Sequence, residues 1–211
     1  HYGRPNWLVV GQQGPTWQLG GFEFYSDGIT PLRMILEGVG GRSEDSLIAV
    51  DDILVRSGHC SNEILRSSER EDQRCVWGEV RLVSSNFTTE KSWEVEGALG
   101  CSGRTYSFSC DFEMQGYLGC GFSSLLDYQT KTRFEVGVGE EVVVGSRPET
   151  DTTIGIKGKG HFIFFRAPGY MPGASAVLIG NPRVYSFGSH CLTLRYFMAG
   201  ADVNVLRLYM S

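Results

Sequence analysis

The sequence lacks several features that would assign it to a functional class at once. Its 211 residues carry 19 Lys and Arg against 24 Asp and Glu, a formal charge of −5, so the basic surface typical of nucleic-acid-binding proteins is missing. No apolar run reaches the ~18–20 residues of a membrane-spanning helix. The first residues show no basic-then-apolar signal peptide, and we therefore expect a mature fragment of a protein.

The cysteines lack the close spacing of metal and redox sites. None of the six forms a C-x-x-C pair, and the closest two, Cys110 and Cys120, are ten residues apart. An even number of cysteines without metal spacing, together with one N-glycosylation sequon at Asn86, favours a disulfide-bonded extracellular protein. The spacing itself leaves the pairing open.

Helical patterns are scarce, whereas strand patterns recur along the chain. The best helical candidate, residues 61–74, is polar with only two apolar side chains, Ile64 and Leu65, and so predicts a solvated linker. Short apolar or alternating runs are punctuated by 28 glycines, as in β-rich chains. The runs that predict strands are 32–37, 47–50, 76–83, 161–166, 191–198 and 203–210. The expected fold is therefore an all-β sandwich.

Catalytic patterns are missing as well. The four histidines do not have the spacing of a zinc motif, and no G-x-S-x-G elbow or other serine–histidine motif occurs. Because the sequence offers no nucleophile–base constellation, it predicts a binding protein rather than an enzyme.

Two pairs of carboxylates are the best candidates for binding chemistry. Asp51 and Asp52 end an apolar run, and Asp111 and Glu113 alternate directly after Cys110. Carboxylates at the ends of strands are hard oxygen ligands of the kind that Ca²⁺ prefers. Such pairs are more commonly solvated surface charge, so both interpretations stay open at this point.

Aromatic side chains near the ends of predicted strands form a second candidate surface. Rings at such positions bind protein partners or stack on sugars when they are exposed, and they fill the core when they are not. A carbohydrate-binding jelly roll is therefore the alternative function. The rings concerned are Trp7, Trp17, Tyr25 and Tyr170.

Four segments of the C-terminal half share their pattern and order with one known family. They are C-D-F-E at 110–113 with L-G-C-G-F at 118–122, G-K-G-H-F-I-F at 158–164, G-S-H-C-L-T-L-R-Y at 188–196, and V-L-R-L-Y at 205–209. This series resembles the MAM family, which is named after meprin, neuropilin and receptor protein tyrosine phosphatase mu. The family opens with C-x-F-E and then L-C-G-W, from which Gly119 and Phe122 depart.

The N-terminal part resembles the other half of the same family. Trp17-Gln18 resembles the mid-domain tryptophan, and I-L-E-G-V-G-G at 35–41 resembles F-E-G-V-R-G. The run I-A-V-D-D-I at 48–53, followed by Cys60, resembles the closing I-A-L-D-D-I and the last cysteine. The resemblance therefore implies that this chain carries the second half of the domain first, and that the chain start and chain end fall at about the same place in the domain.

The resemblance divides the chain into four parts. Residues 1–60 correspond to the C-terminal half of a MAM-like domain, 61–74 to a polar linker, 75–106 to an inter-domain β segment and 107–211 to the N-terminal half. Two arrangements remain open: a permuted domain whose halves close on each other in one chain, and a head-to-tail filament in which neighbouring chains complete each other. An arbitrary window across two tandem domains is disfavoured, because isolated halves would expose core and sheet edges.

The resemblance also implies fold, function and location. It implies a jelly-roll-like antiparallel β-sandwich that serves as a non-enzymatic module for recognition, adhesion or assembly. We expect this module to be secreted or part of the ectodomain of a cell-surface protein, and to bind a protein partner or itself.

Specific residues follow from the resemblance too. The family pairs its first cysteine with its second and its third with its last, which implies Cys110–Cys120 and Cys60–Cys191. Cys75 and Cys101 lie outside the family pattern and are expected to pair with each other. The resemblance further implies a Ca²⁺ site, and the four carboxylates that would form it are Asp51, Asp52, Asp111 and Glu113.

Overall fold

The computed structural model describes residues 3–41, 46–60, 106–113, 116–127, 129–139, 148–166, 173–200 and 203–211. These ranges contain strands and one four-residue helical turn, α1, at Gly116–Gly119. The strands are β1 (Trp7–Val10), β2 (Gly14–Ser26), β3 (Met34–Gly40), β4 (Leu47–Ser57), β5 (Tyr106–Cys110), β6 (Phe122–Leu125), β7 (Glu135–Val138), β8 (His161–Arg166), β9 (Ser175–Gly180), β10 (Gly188–Ala199) and β11 (Val203–Met210).

The strands form two antiparallel sheets, which confirms the expected all-β sandwich. Sheet I has the order β1-β11-β3-β9-β6. Sheet II has the order β2-β10-β4-β8-β7, and β5 pairs with β4 outside this path. The inner faces of the two sheets supply one apolar core, in which Leu36, Leu194 and Leu208 are fully buried.

Each sheet combines strands from two distant segments of the chain. Residues 3–60 supply β1 to β4, and residues 106–211 supply β5 to β11. β11 lies between β1 and β3 in sheet I, and β10 lies between β2 and β4 in sheet II. Neither segment therefore completes sheet I or sheet II by itself, and the core belongs to both.

Some strand boundaries differ from those that the sequence predicts. The predicted strands 161–166 and 203–210 coincide with β8 and β11. The run 32–37 begins too early, because Leu32 makes only an isolated bridge to Arg183 before β3 starts. The predicted strand 76–83 and the linker 61–74 lie outside the described residues.

The largest correction concerns β4, which was expected to end at Val50. It continues to Ser57, so Asp51 and Asp52 lie inside a strand rather than at its end. The strand continues because β10 pairs with it on both sides of the two carboxylates.

The outer face of sheet II carries a second, smaller apolar cluster. Its buried members alternate along their strands with residues of the main core, as the pleat of a strand requires. Trp17 packs edge-on against two of its rings, and its indole N–H donates to the carbonyl of Thr150 at 2.8 Å. The segment 148–160 thus contributes to the cover over this face. The buried members of this cluster, the Trp17 cluster, are Leu47, Ala49, Phe162, Phe197 and Ala199.

Candidate functional site: a buried pair of carboxylates

β4 changes its neighbour along one edge, and the two carboxylates lie at the change. Leu47–Val50 pairs with β8, whereas Ile53–Arg56 pairs with β5. Asp51 and Asp52 occupy the interval between these two pairings. The C-x-F-E segment that follows β5 and the start of β8 therefore meet at the same place in the fold.

A β-bulge shapes the strand at this position. The register between β10 and β4 shifts between Thr193, which faces Leu54, and Arg195, which faces Asp51, so β4 has one extra residue. Asp52 takes up the irregularity with a φ of 46°, in the left-handed region that Asp tolerates better than a branched residue. The bulge allows two consecutive side chains to reach the same hydrogen-bond donors.

Those donors come from the segment 148–160. Oδ2 of Asp51 accepts hydrogen bonds from the backbone N–H and the hydroxyl of Thr152, both at 2.8 Å. The same hydroxyl lies 2.5 Å from Oδ2 of Asp52, while the hydroxyl of Thr153 donates to Oδ1 of Asp52 at 2.8 Å. One hydroxyl proton of Thr152 is thus shared between two carboxylates, and the backbone N–H of Asp52 donates to Oδ1 of Asp51 at 2.8 Å.

Burial and mutual repulsion raise the pKa of both acids. Asp51 is fully buried, and burial followed by the charge of Asp52 raises its pKa to about 8. Burial also raises the pKa of Asp52, against the opposing effects of the two threonine hydroxyls and of Arg195. Together the pair therefore retains a proton at neutral pH that two exposed carboxylates would have lost.

Asp111 and Glu113 approach this region in different ways. The charge of Asp111 contributes to the raised pKa of Asp52, so Asp111 belongs to the same electrostatic neighbourhood. Glu113 is engaged by His161, which donates its backbone N–H to Oε1 at 2.6 Å and has its ring Nδ1 3.0 Å from Oε2. The structure therefore groups Asp51, Asp52 and Asp111, while both oxygens of Glu113 have another partner.

The donor chemistry fits a hard cation, although the described residues do not form a finished metal site. Carboxylate and hydroxyl oxygens are ligands that Ca²⁺ prefers, and the pair of Asp51 and Asp52 carries negative charge that a cation would offset. Within the described ranges, no group of three or more Asp, Glu, His or Cys side chains is arranged to hold a metal ion.

Sequence reasoning missed the residues that hold the segment 148–160 in place. Thr152 and Thr153 lie about a hundred positions from the acids they bind, so no local pattern connects them. Asp151 is buried, and its carboxylate accepts the backbone N–H groups of Ile154 and Gly155 at 2.6 and 2.9 Å. The run D-T-T-x-G, typical of a turn built by side-chain acceptors, was the available signal.

Gly160 is required where this segment enters β8. Its φ is +77°, and a Cβ at this position would collide with the carboxylate of Asp151. The position of the Asp151 carboxylate therefore depends on glycine at position 160.

Two disulfides are present among the described residues. Cys60 pairs with Cys191 and Cys110 pairs with Cys120, with Cα–Cα distances of 4.9 and 5.5 Å. The first bond joins the segment 3–60 to the segment 106–211. Cys75, Cys101 and the Asn86 sequon lie outside the described residues.

Of the three described rings of the predicted aromatic surface, only Tyr25 is mainly exposed. Trp7 packs edge-on against Tyr196 at 5.3 Å and contributes to the core. Trp17 packs against the Trp17 cluster on the outer face of sheet II. Tyr25 is exposed, whereas Tyr170 lies outside the described residues. No helix in the described part of the chain is long and apolar enough to cross a membrane.

Comparison with known proteins gives a family match within the segment 106–211. Residues 110–211 match the family described as MAM domain, meprin/A5/mu. The match confirms the resemblance for this part of the chain and agrees with the antiparallel sandwich. MAM domains are typically extracellular modules of adhesion and recognition, mediate protein interactions and are generally non-catalytic. No solved structure matches this chain at the significance required.

Proposed function

We propose that residues 1–60 and 107–211 together form one MAM-like domain with its halves in reversed order, and that this domain is a non-catalytic extracellular module for recognition, adhesion or assembly. The observation that carries the proposal is the interleaving of strands. β10 and β11 belong to the family match, yet each pairs on both sides with strands of residues 3–60. A sandwich built from residues 110–211 alone would lack the central strands β3 and β4.

Closure within one chain is favoured over a head-to-tail filament. The disulfide between Cys60 and Cys191 links the two segments of a single chain. The chain start and the chain end are also neighbours, because Asn6 donates its N–H to the carbonyl of Leu208 and its Oδ1 accepts the N–H of Met210. The described strands pair within one chain, so the core that they form needs no second copy.

Disulfide mapping tests the arrangement. Non-reducing peptide mass spectrometry, combined with the mass of the denatured, non-reduced protein, should give a Cys60–Cys191 link at monomer mass. The same link in a covalent ladder would show that neighbouring chains complete each other, and would contradict closure within one chain. Free thiols at both positions would contradict the combined domain itself.

Cell binding tests the recognition role. Beads coated with the chain should attach to cells through a surface protein, so treating the cells with a protease should abolish attachment while glycosidases should not. A glycan array should stay blank. Strong binding to a defined glycan, with attachment lost after glycosidase treatment, would instead support the carbohydrate-binding alternative.

We also propose that Ca²⁺ binds at Asp51, Asp52 and Asp111, with Glu113 released from His161 to join them. The shared hydroxyl of Thr152 and the raised pKa values support the proposal, because a cation would offset the repulsion between the two buried carboxylates. Bound Ca²⁺ would tie β4, the C-x-F-E segment and residues 148–160 together.

Calorimetry and thermal unfolding test this site. At Ca²⁺ a hundred times above its dissociation constant, the folded state should gain about 2.7 kcal/mol, and a chelator should remove the gain. Asp52→Asn should abolish the heat of binding, whereas Glu135→Gln, an exposed acid in β7, should not change it. No heat and no effect of the chelator on the wild-type protein would refute the proposal.

A further inference from the structure

An apolar surface of three side chains lies at one end of sheet II, away from the carboxylate pair. Ile29 is 81% exposed, Phe187 75% and Tyr25 59%, and the first two are the most exposed large apolar side chains in the described ranges. The rings of Tyr25 and Phe187 meet edge-to-face at 5.6 Å. Gly28 lies against Phe187, and this places its neighbour Ile29 on the same side as the two rings. We call Tyr25, Ile29 and Phe187 the Tyr25 surface.

The backbone beneath the Tyr25 surface is fixed by buried hydrogen bonds. The carbonyl of Ser186 can only accept, so the ring Nε2 of the fully buried His190 carries a proton and donates it at 2.8 Å. The hydroxyl of Ser26 donates to the carbonyl of Tyr185 at 3.2 Å and accepts the N–H of Gly28 at 3.2 Å. Phe187 is thus presented by a connection that is already ordered, which lowers the entropic cost of binding a partner.

The size of the patch matches the apolar part of an ordinary protein interface. With about 200 Å² for an aromatic side chain, the exposed fractions of Tyr25 and Phe187 amount to roughly 270 Å², and Ile29 adds its own aliphatic surface. Half of a standard interface covers about 800 Å², of which a little over half, about 450 Å², is non-polar. Isolated exposed side chains need no explanation, whereas a contiguous patch of this size is commonly a binding site.

Two acidic side chains, Glu23 and Asp27, stand next to members of the Tyr25 surface in the sequence. Glu23 precedes Tyr25 on the same face of β2, and a hydrogen bond from His59 lowers the pKa of its carboxyl. Asp27 lies between Tyr25 and Ile29, and donors from Thr30 and then from Ile29 lower its pKa to about 2. Both acids are ionised at neutral pH. His59 is paired with Glu23, with its Nδ1 2.8 Å from Oε1.

The cation in the connection that carries Phe187 points elsewhere. Arg183 precedes Val184, another exposed apolar side chain of the same connection. Its guanidinium donates to the carbonyl of Cys120 at 3.0 Å and lies over the ring of Phe108 at 4.5 Å. It therefore does not compensate the two acids beside the Tyr25 surface.

We propose that the Tyr25 surface binds a segment of another protein whose apolar side chains are flanked by Lys or Arg. The proposal rests on the proposed recognition function and names the surface and the partner chemistry. A sugar fits less well, because the two rings are nearly perpendicular, at 79°, and the aliphatic Ile29 offers no hydrogen bond. A second copy also fits less well, since a two-fold contact would bring Glu23 and Asp27 against the same acids of the partner.

Two matched peptides serve as probes of this surface. One nine-residue peptide alternates Lys with Leu and Phe, and the other has Glu in place of every Lys. Each is titrated into the ¹⁵N-labelled full chain. The Lys peptide should shift the amide resonances of Tyr25, Ile29 and Phe187, and the Glu peptide should bind at least tenfold more weakly.

Variants separate the apolar and electrostatic contributions. Phe187→Ser should weaken the Lys peptide about tenfold, as expected for an aromatic anchor, without changing the thermal midpoint. Ile156→Ser, at another side chain that is 52% exposed, should bind like the wild type. The double change Glu23→Gln with Asp27→Asn should remove the preference for Lys over Glu while leaving the apolar contact.

Several outcomes would overturn the proposal. They are equal binding of the two peptides, shifts that map elsewhere, and an unaffected Phe187→Ser variant. Sedimentation showing a wild-type dimer that Phe187→Ser dissociates would assign the surface to a second copy instead. If coated beads bind cells equally with and without Phe187→Ser, this surface is wrong but the recognition function stands; if the wild type binds neither cells nor peptide, both fail.

Discussion

Residues 3–60 and residues 106–211 contribute to the same two sheets, yet only the second segment carries the family match. The difference shows that a family pattern and a fold depend on different features of the chain. A family pattern depends on the order of motifs along the chain, whereas packing depends on which strands are neighbours in space. β3 and β4 are central strands of their sheets although they lie outside the matched range. The sandwich is therefore defined by the pairing of its strands, and substitutions in each segment can measure how far the two segments depend on each other.

The disulfide between the two segments should have the largest effect. Replacing Cys60 and Cys191 together by Ser removes a bond that spans 131 residues, and the loop-closure estimate gives a loss of about 5 kcal/mol in unfolding free energy. The matched control, Cys110 and Cys120 both changed to Ser, removes a bond that spans ten residues and should cost about 3 kcal/mol. Urea unfolding measures both.

The ratio of the two losses is informative. If the first pair cost less than the second, the two segments would be held close in the unfolded chain without the bond, and the interpretation that Cys60–Cys191 restrains two distant segments would fail.

Core truncations should affect both segments equally. Leu36 in β3 and Leu194 in β10 are both fully buried, one in each segment and one in each sheet. Changing either to Ala should cost about 3–5 kcal/mol, because the cavity left in a shared core cannot close fully. Leu8→Ala, at a side chain that is 51% exposed, is the control and should cost well under 1 kcal/mol.

Unfolding of these variants should remain a single transition when followed by circular dichroism and by tryptophan fluorescence. Two separate transitions, with one segment melting before the other, would contradict a common core.

The carboxylate pair should make stability depend on pH in a defined direction. The folded pKa of Asp51, about 8, lies above the ordinary value, so the folded state binds more protons than the unfolded chain between about pH 4 and 8. Stability is therefore fully present below the ordinary pKa and decreases as the pH rises through the folded pKa. One proton contributes at most about 1.4 kcal/mol per pH unit.

Asp52→Asn removes the neighbouring charge and should flatten this slope. Asn is tolerated there, because the hydroxyls of Thr152 and Thr153 can accept hydrogen bonds as well as donate them. Urea unfolding from pH 5 to 8.5 in the presence of a chelator measures the slope. Asp27→Asn is the control, since its pKa of about 2 places its titration below this window. An unchanged slope in Asp52→Asn would refute the coupling between the two acids.

The sequence predicted the architecture better than it predicted the details of the site. A composition rich in strand-forming residues located β8, and period-2 alternation located β11, at their observed bounds. β2 was missed because it contains glycines, which have low strand propensity. Packing explains them: a Cβ at Gly20 would lie 2.5 Å from the ring of Trp7, and one at Gly21 would lie 2.5 Å from the carbonyl oxygen of Leu192. Such contacts exist only after the sheets have formed.

The candidate site was only partly predictable, because some of its contacts also exist only in the folded chain. Two adjacent acids in an apolar run are visible in the sequence, and a family resemblance connects them with the C-x-F-E segment. The bulge at Asp52 and its contact with Thr153 depend on strand register and on a segment a hundred residues away. Neither leaves a local signal, so only the folded chain identifies them.

Reordering the chain should have the smallest effect, and it tests the proposed permutation most directly. A chain that runs from 107 to 211 and then, through a short Gly-Ser joint, from 1 to 60 places the segments in family order. The joint is short because Met210 already contacts Asn6, and a longer loop would add little, since closure entropy grows slowly with length. We expect the disulfides Cys60–Cys191 and Cys110–Cys120 to form again and the unfolding free energy to change by no more than about 1–2 kcal/mol. Peptide mapping checks the disulfides, and urea unfolding checks the free energy. A reordered chain that mispairs its cysteines or fails to fold would mean that residues 61–105 contribute to the sandwich beyond connecting its halves.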